Sequence, residues 1–89
     1  MKIKPLAAEV TCPASGSASN VSSATCVMAT CTGSTDRVIT LTNADEAAVL
    51  GTFTLLSKTQ IFIQKDPTDE LWVDAGTDVK LTKIAIQSA

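Results

Sequence analysis

The sequence predicts an all-β fold, a small antiparallel β-sandwich or barrel of about six strands with an extended N-terminal arm. From residue 25 onwards, Thr, Val and Ile alternate with polar residues at the two-residue period of a strand. Turn signals separate these runs at intervals of about ten residues, which is typical of sandwiches and small barrels. The 89-residue length allows one domain with a thin core, because a chain of this size buries only about 60–65% of its unfolded surface.

The predicted strands lie in runs bounded by turn-forming residues: 25–32, 37–43, 51–57, 59–65, 70–74 and 79–87. The last run poses a problem of phase, because Val79 and Leu81 point to one face whereas Ile84 and Ile86 point to the other. Either a bulge near Lys83 turns all four inwards, or the strand is buried on both faces towards its end.

One segment, residues 43–51, competes with the strand pattern. Asn43 as N-cap, Glu46 at the capping-box position and Gly51 as a stop favour one or two turns of helix. A polar hairpin loop is the alternative, because so short a helix is marginal without packing.

The first 24 residues are predicted to form an arm, separate from a β domain that spans residues 25–89. The stretch PASGSASNVSSAT, residues 13–25, has too little apolar area to offset the entropy cost of ordering it. Ile3, Leu6 and Val10 are the apolar anchors of this arm, and we predict that they dock it on a partner. Deletion of residues 1–22 should then leave the β domain folded and abolish docking.

Composition argues against several classes of function. The chain has no histidine, the side chain most used as a general base and as a transition-metal ligand. Its seven basic and nine acidic residues are scattered, so no basic patch is available for nucleic acid. No apolar run is long enough for a secretory signal or a membrane span. We therefore expect no catalytic residue, cofactor, metal, nucleic-acid partner, membrane contact or small-molecule substrate.

The three cysteines, Cys12, Cys26 and Cys31, are predicted to be reduced packing residues. Their number is odd, so at least one thiol is free or pairs between chains. Cys26 and Cys31 would point to opposite faces of a regular strand, which argues against a bond between them. A bond from Cys12 to either of the others stays geometrically open.

The acidic turn DPTD, residues 66–69, has two interpretations. Its carboxylates, together with Asp74 or Asp78, could gather around a divalent cation, but their spacing matches no EF-hand loop. Pro67 instead fits the second position of a tight turn, with Asp66 accepting a backbone N–H across it. We interpret the segment as a bend between two strands.

Trp72, the only tryptophan, follows this turn and is predicted to be a core residue or an interface anchor. It joins the three arm residues as a candidate partner-binding residue. Lys58 and Lys65 flank the run 59–65 and are predicted to protect a sheet edge from unwanted pairing.

The pieces VITLTNA, GTFTL, IFIQKDPTDEL and VKLTKIAI follow one another as strand, glycine-led strand, strand ending in Lys, Pro-Thr-Asp turn and closing strand. This succession, over residues 24–88, resembles small virion proteins of tailed bacteriophages, especially those infecting marine or cyanobacterial hosts. The resemblance implies a non-enzymatic structural component of the virion, present in many copies. The cysteines are not part of the resemblance.

What the resemblance implies about partners is contact with other virion proteins, such as major capsid or tail proteins, and with copies of the chain itself. A capsid decoration or cement protein is the first expectation, and a neck or tail component is the alternative. A free-standing β-sandwich binding module, with Trp72 as its contact residue, is a further hypothesis from a different class. A small enzyme is a third hypothesis.

Overall fold

The predicted all-β class is confirmed, because the chain folds into two antiparallel sheets packed against each other. A computed structural model describes residues 2–87. Each predicted run coincides, to within about two residues at either end, with one of the strands β3 to β8. The strands are β1 (Lys2–Pro5), β2 (Val10–Thr11), β3 (Cys26–Cys31), β4 (Arg37–Thr42), β5 (Val49–Leu55), β6 (Gln60–Gln64), β7 (Glu70–Val73) and β8 (Val79–Gln87).

Successive strands along the chain mostly belong to different sheets. The larger sheet has the order β1-β8-β3-β6, with β2 also paired to β8, and the smaller sheet has the order β5-β4-β7. Between β3 and β8, only the β4–β5 connection is a hairpin within one sheet; every other connection crosses between sheets. The acidic turn is therefore a bend, as predicted, but it joins strands of different sheets.

The core lies between the sheets and is made of inward-facing residues from both. Val27, Ala29 and Leu81 come from the larger sheet, and Ile39 and Leu71 from the smaller one. All five are fully buried, and each occupies one phase of its strand, as the two-residue period requires.

The structure does not show an extended N-terminal arm. β1 pairs with β8 from Lys2 to Pro5, and β2 pairs with β8 at Val10 and Thr11. The physical reason is the length of β8, which runs from Val79 to Gln87 and leaves one long edge that the N-terminal segment closes. Met1 of the expected arm, and Ser88 and Ala89 of the expected β domain, lie outside the described residues.

The Ser-rich stretch that follows β2 also belongs to the globule. Ser19 forms an antiparallel bridge to Leu71, and the N–H of Val73 donates to the carbonyl of Pro13 at 2.9 Å. Small or apolar side chains of this segment enter the core, namely Cys12, Val21 and Ala24. Deletion of residues 1–22 would remove core residues, so we no longer expect the remaining chain to stay folded.

Strand β8 is buried on both faces, which is the second of the two alternatives that its apolar pattern allowed. Its register with β3 runs without a shift from Cys31 paired with Val79 to Val27 paired with Lys83. The bulge near Lys83 is therefore absent from this pairing. Leu81 enters the core, whereas Ile84 points to the outer face of the larger sheet and is nevertheless buried.

Residues 43–48 form the hairpin loop between β4 and β5, which contains one turn of 3-10 helix, Ala44–Glu46. Asn43 closes the loop, because its side-chain oxygen accepts the Ala48 N–H at 2.7 Å. Glu46 forms no capping box, and its carboxylate instead accepts backbone N–H groups of the Ser-rich loop. Gly51 lies inside β5 rather than at a helix end.

An ion pair joins the first residue of β4 to the connection between β7 and β8. Arg37 Nε donates to Asp78 Oδ1 at 2.9 Å, and Arg37 Nη2 donates to Asp78 Oδ2 at 3.2 Å. Gly33 leaves room for the Asp78 carboxylate, since a β-carbon at this position would clash with it. Gly76, at φ +79°, leaves room for the guanidinium in the same way.

Candidate interaction surface

The outer side of the larger sheet carries an apolar surface. Residues paired across antiparallel strands share a face, so the register identifies which side chains point away from the core. Met28 pairs with Phe62, and Ile3 pairs with Ile86, in each case in the phase opposite to the core residues. We call this surface the outer apolar face and define it as Ile3, Cys26, Met28, Phe62, Ile84 and Ile86.

A groove of about 520 Å³ crosses the outer apolar face. Ile84 is buried within it at 3% exposure, whereas Leu6 and Ile86 on its walls are 47% and 42% exposed. Apolar side chains dominate the lining, with the carboxamide of Gln64 as a polar group. The groove is lined by Leu6, Thr25, Cys26, Phe62, Gln64, Ile84, Ala85 and Ile86.

The structure separates the four residues that the sequence predicted as partner contacts. Ile3 lies on the outer apolar face and Leu6 on the wall of its groove. Val10 pairs with the core residue Leu81 and so has the opposite phase. Trp72 alternates with the core residues of β7 and lies on the outer side of the smaller sheet, half-buried. Leu6 and Ile3 are therefore the pair that meets at one surface.

Phe62, Ile84 and Ile86 were not among the predicted contacts. For Ile84 and Ile86, the sequence predicts burial under either account of the β8 phase. Their alternation with core residues is visible in the sequence, because an apolar residue in both phases of a strand indicates two apolar faces. The pairing with β1 and β3, which gathers them into one surface, is not visible there.

The cysteines are free thiols in positions that agree with the predicted strand geometry. Cys12 and Cys31 are buried in the core, and burial raises the pKa of Cys12 to about 12. Cys26 points to the other face of β3 and lines the groove. Cys26 and Cys31 lie on opposite faces, as expected.

The acidic turn is held by its own hydrogen bonds. The N–H of Asp69 donates to the carbonyl of Asp66 at 3.0 Å, which closes the turn. The side-chain acceptor is Asp69 and not Asp66 as predicted, because Asp69 Oδ2 accepts the Asp66 N–H at 3.1 Å. This reversed arrangement buries Asp69 and leaves Asp66 exposed.

Lys65 does not protect a sheet edge, contrary to the sequence prediction. Its side chain is only 6% exposed and its ammonium donates to the carbonyls of Asn20 and Ala24, both at 2.8 Å, and of Asp66 at 3.3 Å. Burial lowers its pKa, and the nearby carboxylate of Asp69 opposes that shift. The sequence indicates this burial, because Lys65 has the same two-residue phase as Ile61 and Ile63, which face the core.

Lys65 and Lys83 together hold an unusual turn over residues 20–24. Val21, Ser22 and Ser23 all have φ between +54° and +57°, a left-handed conformation that costs energy for residues other than glycine. Lys83 Nζ donates to the Ser22 carbonyl at 3.0 Å, which lies along the chain between the Asn20 and Ala24 carbonyls that Lys65 binds. These contacts give the two lysines a structural role.

An acidic depression of about 400 Å³ lies beside the 3-10 turn and includes Asp45, Glu46 and Glu70 in its lining. The Glu46 carboxylate is already engaged, because it accepts the N–H groups of Gly16, at 2.9 Å, and of Ala18, at 3.0 Å. Within residues 2–87 no group of three or more Cys, Asp and Glu side chains is placed to hold a metal ion. The Glu46 carboxylate therefore fastens the Ser-rich loop to the 3-10 turn.

Over the same described part of the chain, no helix has the length and apolar character needed to cross a membrane. Comparisons of the chain with protein-family models, with curated proteins and with solved structures find no match.

Proposed function

We propose that this chain is a non-enzymatic structural protein of a tailed-phage virion, present in many copies, which stabilises contacts between capsid subunits as a decoration or cement protein. The outer apolar face is the observation that carries the proposal. Contiguous exposed apolar surface on a small domain is characteristic of a protein–protein interaction site. The resemblance of residues 24–88 to small virion proteins of tailed phages supplies the kind of partner.

The groove gives this surface a specific mode of contact. Its apolar lining and its volume suit the insertion of apolar side chains from a larger subunit, and such insertion at the centre of an interface contributes most of the binding energy. Ile3 and Leu6 flank the groove as part of a folded surface, so docking requires no ordering of a flexible arm. This replaces the docking mode that the sequence predicted.

Incorporation into particles tests the proposal. The full chain is co-expressed with the structural proteins encoded beside it, particles are purified on a density gradient, and copies per particle are counted by quantitative mass spectrometry. We expect many copies for the wild type and a several-fold reduction for Leu6→Lys. Leu50→Lys is the matched control, because Leu50 is similarly exposed, at 54%, but lies on the smaller sheet.

Separating heads from tails distinguishes the decoration protein from the alternative, a neck or tail component. A cement protein should co-purify with heads, and heads that lack it should rupture at a lower temperature. A free-standing binding module, with Trp72 as its contact, would stay out of particles altogether. Folded wild-type chain that is absent from every particle fraction would contradict the virion proposal.

A further inference from the structure

Strand β6 is a terminal strand with a free edge. It pairs with β3 on one side, and no other strand among residues 2–87 pairs with it. The Lys65 N–H donates to the Thr25 carbonyl at 3.0 Å, and the Cys31 N–H donates to the Thr59 carbonyl at 2.9 Å. Odd-numbered residues of this strand therefore direct their backbone groups to β3, and antiparallel alternation leaves those of Gln60, Phe62 and Gln64 directed outwards.

Within Gln60–Gln64, this edge has no lysine, proline or bulge of the kind that normally prevents pairing between sheets. Natural edge strands are protected by lysine, proline, a bulge or a covering segment. β6 consists of Gln-Ile-Phe-Ile-Gln, and its register with β3 is unbroken. Lys65, which would have been its guard, turns inwards instead. Ile61, whose phase faces the core, is still 41% exposed at the margin of the sandwich.

The residues of this strand read the same in both directions, QIFIQ from 60 to 64. A two-fold axis at Phe62 would therefore place identical residue types opposite one another in an antiparallel pair. In that register Gln60 faces Gln64 of the second copy, and Phe62 faces Phe62. These are the three residues with outward backbone groups, so all of their N–H and C=O groups become paired.

We propose that β6 pairs antiparallel with β6 of a second copy of this chain, centred on Phe62, and joins the two larger sheets into one continuous sheet. The inference rests on β6 alone and holds whether or not the chain belongs to a virion. It specifies a symmetric contact in which the same strand is used by both copies.

Side chains and charges fit this register. On the inner face, Ile61 of each copy lies opposite Ile63 of the other, which removes its exposed surface from water. On the outer face, the two Phe62 rings meet, so the outer apolar faces of both copies become continuous. Beyond the strand ends, Lys58 of one copy lies level with Asp66 of the other, and both residues are exposed and opposite in charge.

Another terminal strand, β5 of the smaller sheet, offers no comparable match. Its sequence, VLGTFTL, has no two-fold repeat, and its register with β4 shifts between Leu41 and Thr42. It is therefore the matched control for an edge that lacks self-complementarity.

Unmodified chain provides the first test, by amide hydrogen exchange at two protein concentrations together with analytical ultracentrifugation. We expect a dimer, and concentration-dependent protection of the Gln60, Phe62 and Gln64 amides without similar protection along β5. A monomer up to about millimolar concentration, which corresponds to the weakest specific association of interest, would overturn the proposal. Protection confined to β5 would overturn it as well.

Charge placement tests the register. Gln60→Lys with Gln64→Lys brings like charges together in both outer pairs and should weaken the dimer by about tenfold or more. The Lys/Glu form, Gln60→Lys with Gln64→Glu, brings opposite charges together and should restore the dimer. Mixing the Lys/Lys form (lysine at 60 and 64) with a Glu/Glu form (glutamate at 60 and 64) should restore dimerisation as well. Thr52→Lys with Thr54→Lys on β5 should have no effect. Equal affinity of the Lys/Lys and Lys/Glu forms would overturn the register.

Discussion

Among individual residues, Lys65 is the one whose role differs most from its appearance in the sequence. A lysine at the end of an amphipathic strand is ordinarily a solvated charge, but this ammonium is enclosed by backbone carbonyls of Asn20, Ala24 and Asp66. All three of its N–H donors have acceptors, which is the condition under which a charged group tolerates burial. The lysine thereby connects the end of β6 to the turn over residues 20–24.

Replacement of this lysine tests the connection. Lys65→Met keeps the apolar stem and leaves the buried carbonyl of Ala24 without its donor, so we expect the free energy of unfolding to fall by about 1.5–3 kcal/mol. Lys58→Met is the control, because Lys58 is exposed and its effect should stay within about 0.5 kcal/mol. Urea denaturation followed by circular dichroism measures both. Equal effects of the two substitutions would refute a special role for Lys65.

The pKa of Lys65 is lowered by burial, and this gives the wild type a dependence on pH at alkaline values. Between the folded-state pKa and the ordinary value of 10.5, the unfolded chain binds more protons than the folded chain. The Lys65 contribution to stability therefore increases as pH rises through that interval. Lys65→Met should abolish this contribution.

Among elements, the hairpin loop between β4 and β5 and the Ser-rich loop before β3 depend on one another. Neither loop has a helix or strand of its own that packs on the core. Glu46 connects them, because its carboxylate accepts two backbone N–H groups, those of Gly16 and Ala18. A carboxylate that accepts backbone N–H groups forms hydrogen bonds roughly twice as strong as neutral ones.

Removal of the charge at this position should loosen the Ser-rich loop. We expect Glu46→Gln to accelerate amide exchange at Gly16 and Ala18 and to lower the free energy of unfolding by about 1 kcal/mol. Asp45→Asn, on the neighbouring exposed residue, is the control and should leave both amides unchanged. Hydrogen exchange followed by NMR measures the two variants. Unaltered exchange in Glu46→Gln would show that the loop is held by other contacts.

At the scale of the whole molecule, contacts between the strand connections hold the two sheets in alignment. The chain crosses from β3 to β4 and from β7 to β8, and the Arg37–Asp78 pair joins the first residue of β4 to the second of these crossings near one end of the sandwich. The hydrogen bond from Arg37 lowers the pKa of Asp78 below its ordinary value of 3.8. The ion pair therefore has a signature in the pH dependence of stability.

The sign of that signature follows from the lowered pKa. A carboxyl group with a depressed folded-state pKa contributes stability above the unfolded value, and the contribution disappears as pH falls through the folded value. We expect wild type to exceed Asp78→Asn in stability by a constant amount above about pH 5, with the difference shrinking below pH 3.8. Thermal unfolding across pH measures it.

Glu9→Gln, on an exposed residue, is the control for the loss of any surface carboxylate. A difference between wild type and Asp78→Asn that persists undiminished in acid would contradict the proposed contribution of the ion pair. Partial exposure of both side chains, 19% for Arg37 and 21% for Asp78, predicts that added salt reduces the difference at neutral pH.

Much of the local structure was predictable, because strand positions depend on short-range signals. The alternation in the run 37–43 and the turn residues around 66–69 located β4, β6 and β7 to within about two residues. The opposite faces of Cys26 and Cys31 also followed from the two-residue period alone. In the candidate interaction surface, Ile3 and Leu6 were identified from their apolar character, although for a different mode of docking.

The amino-acid sequence alone determined the all-β class and the strand positions, since these depend on composition and on neighbours along the chain. Long-range pairing established the remainder: that residues 2–11 close the edge of β8, that Lys65 turns inwards, and that β6 keeps a free edge. A strand pattern specifies two faces but not which strand pairs with which. That choice minimises unpaired backbone groups and exposed apolar area over all strands at once, and only the complete fold expresses it.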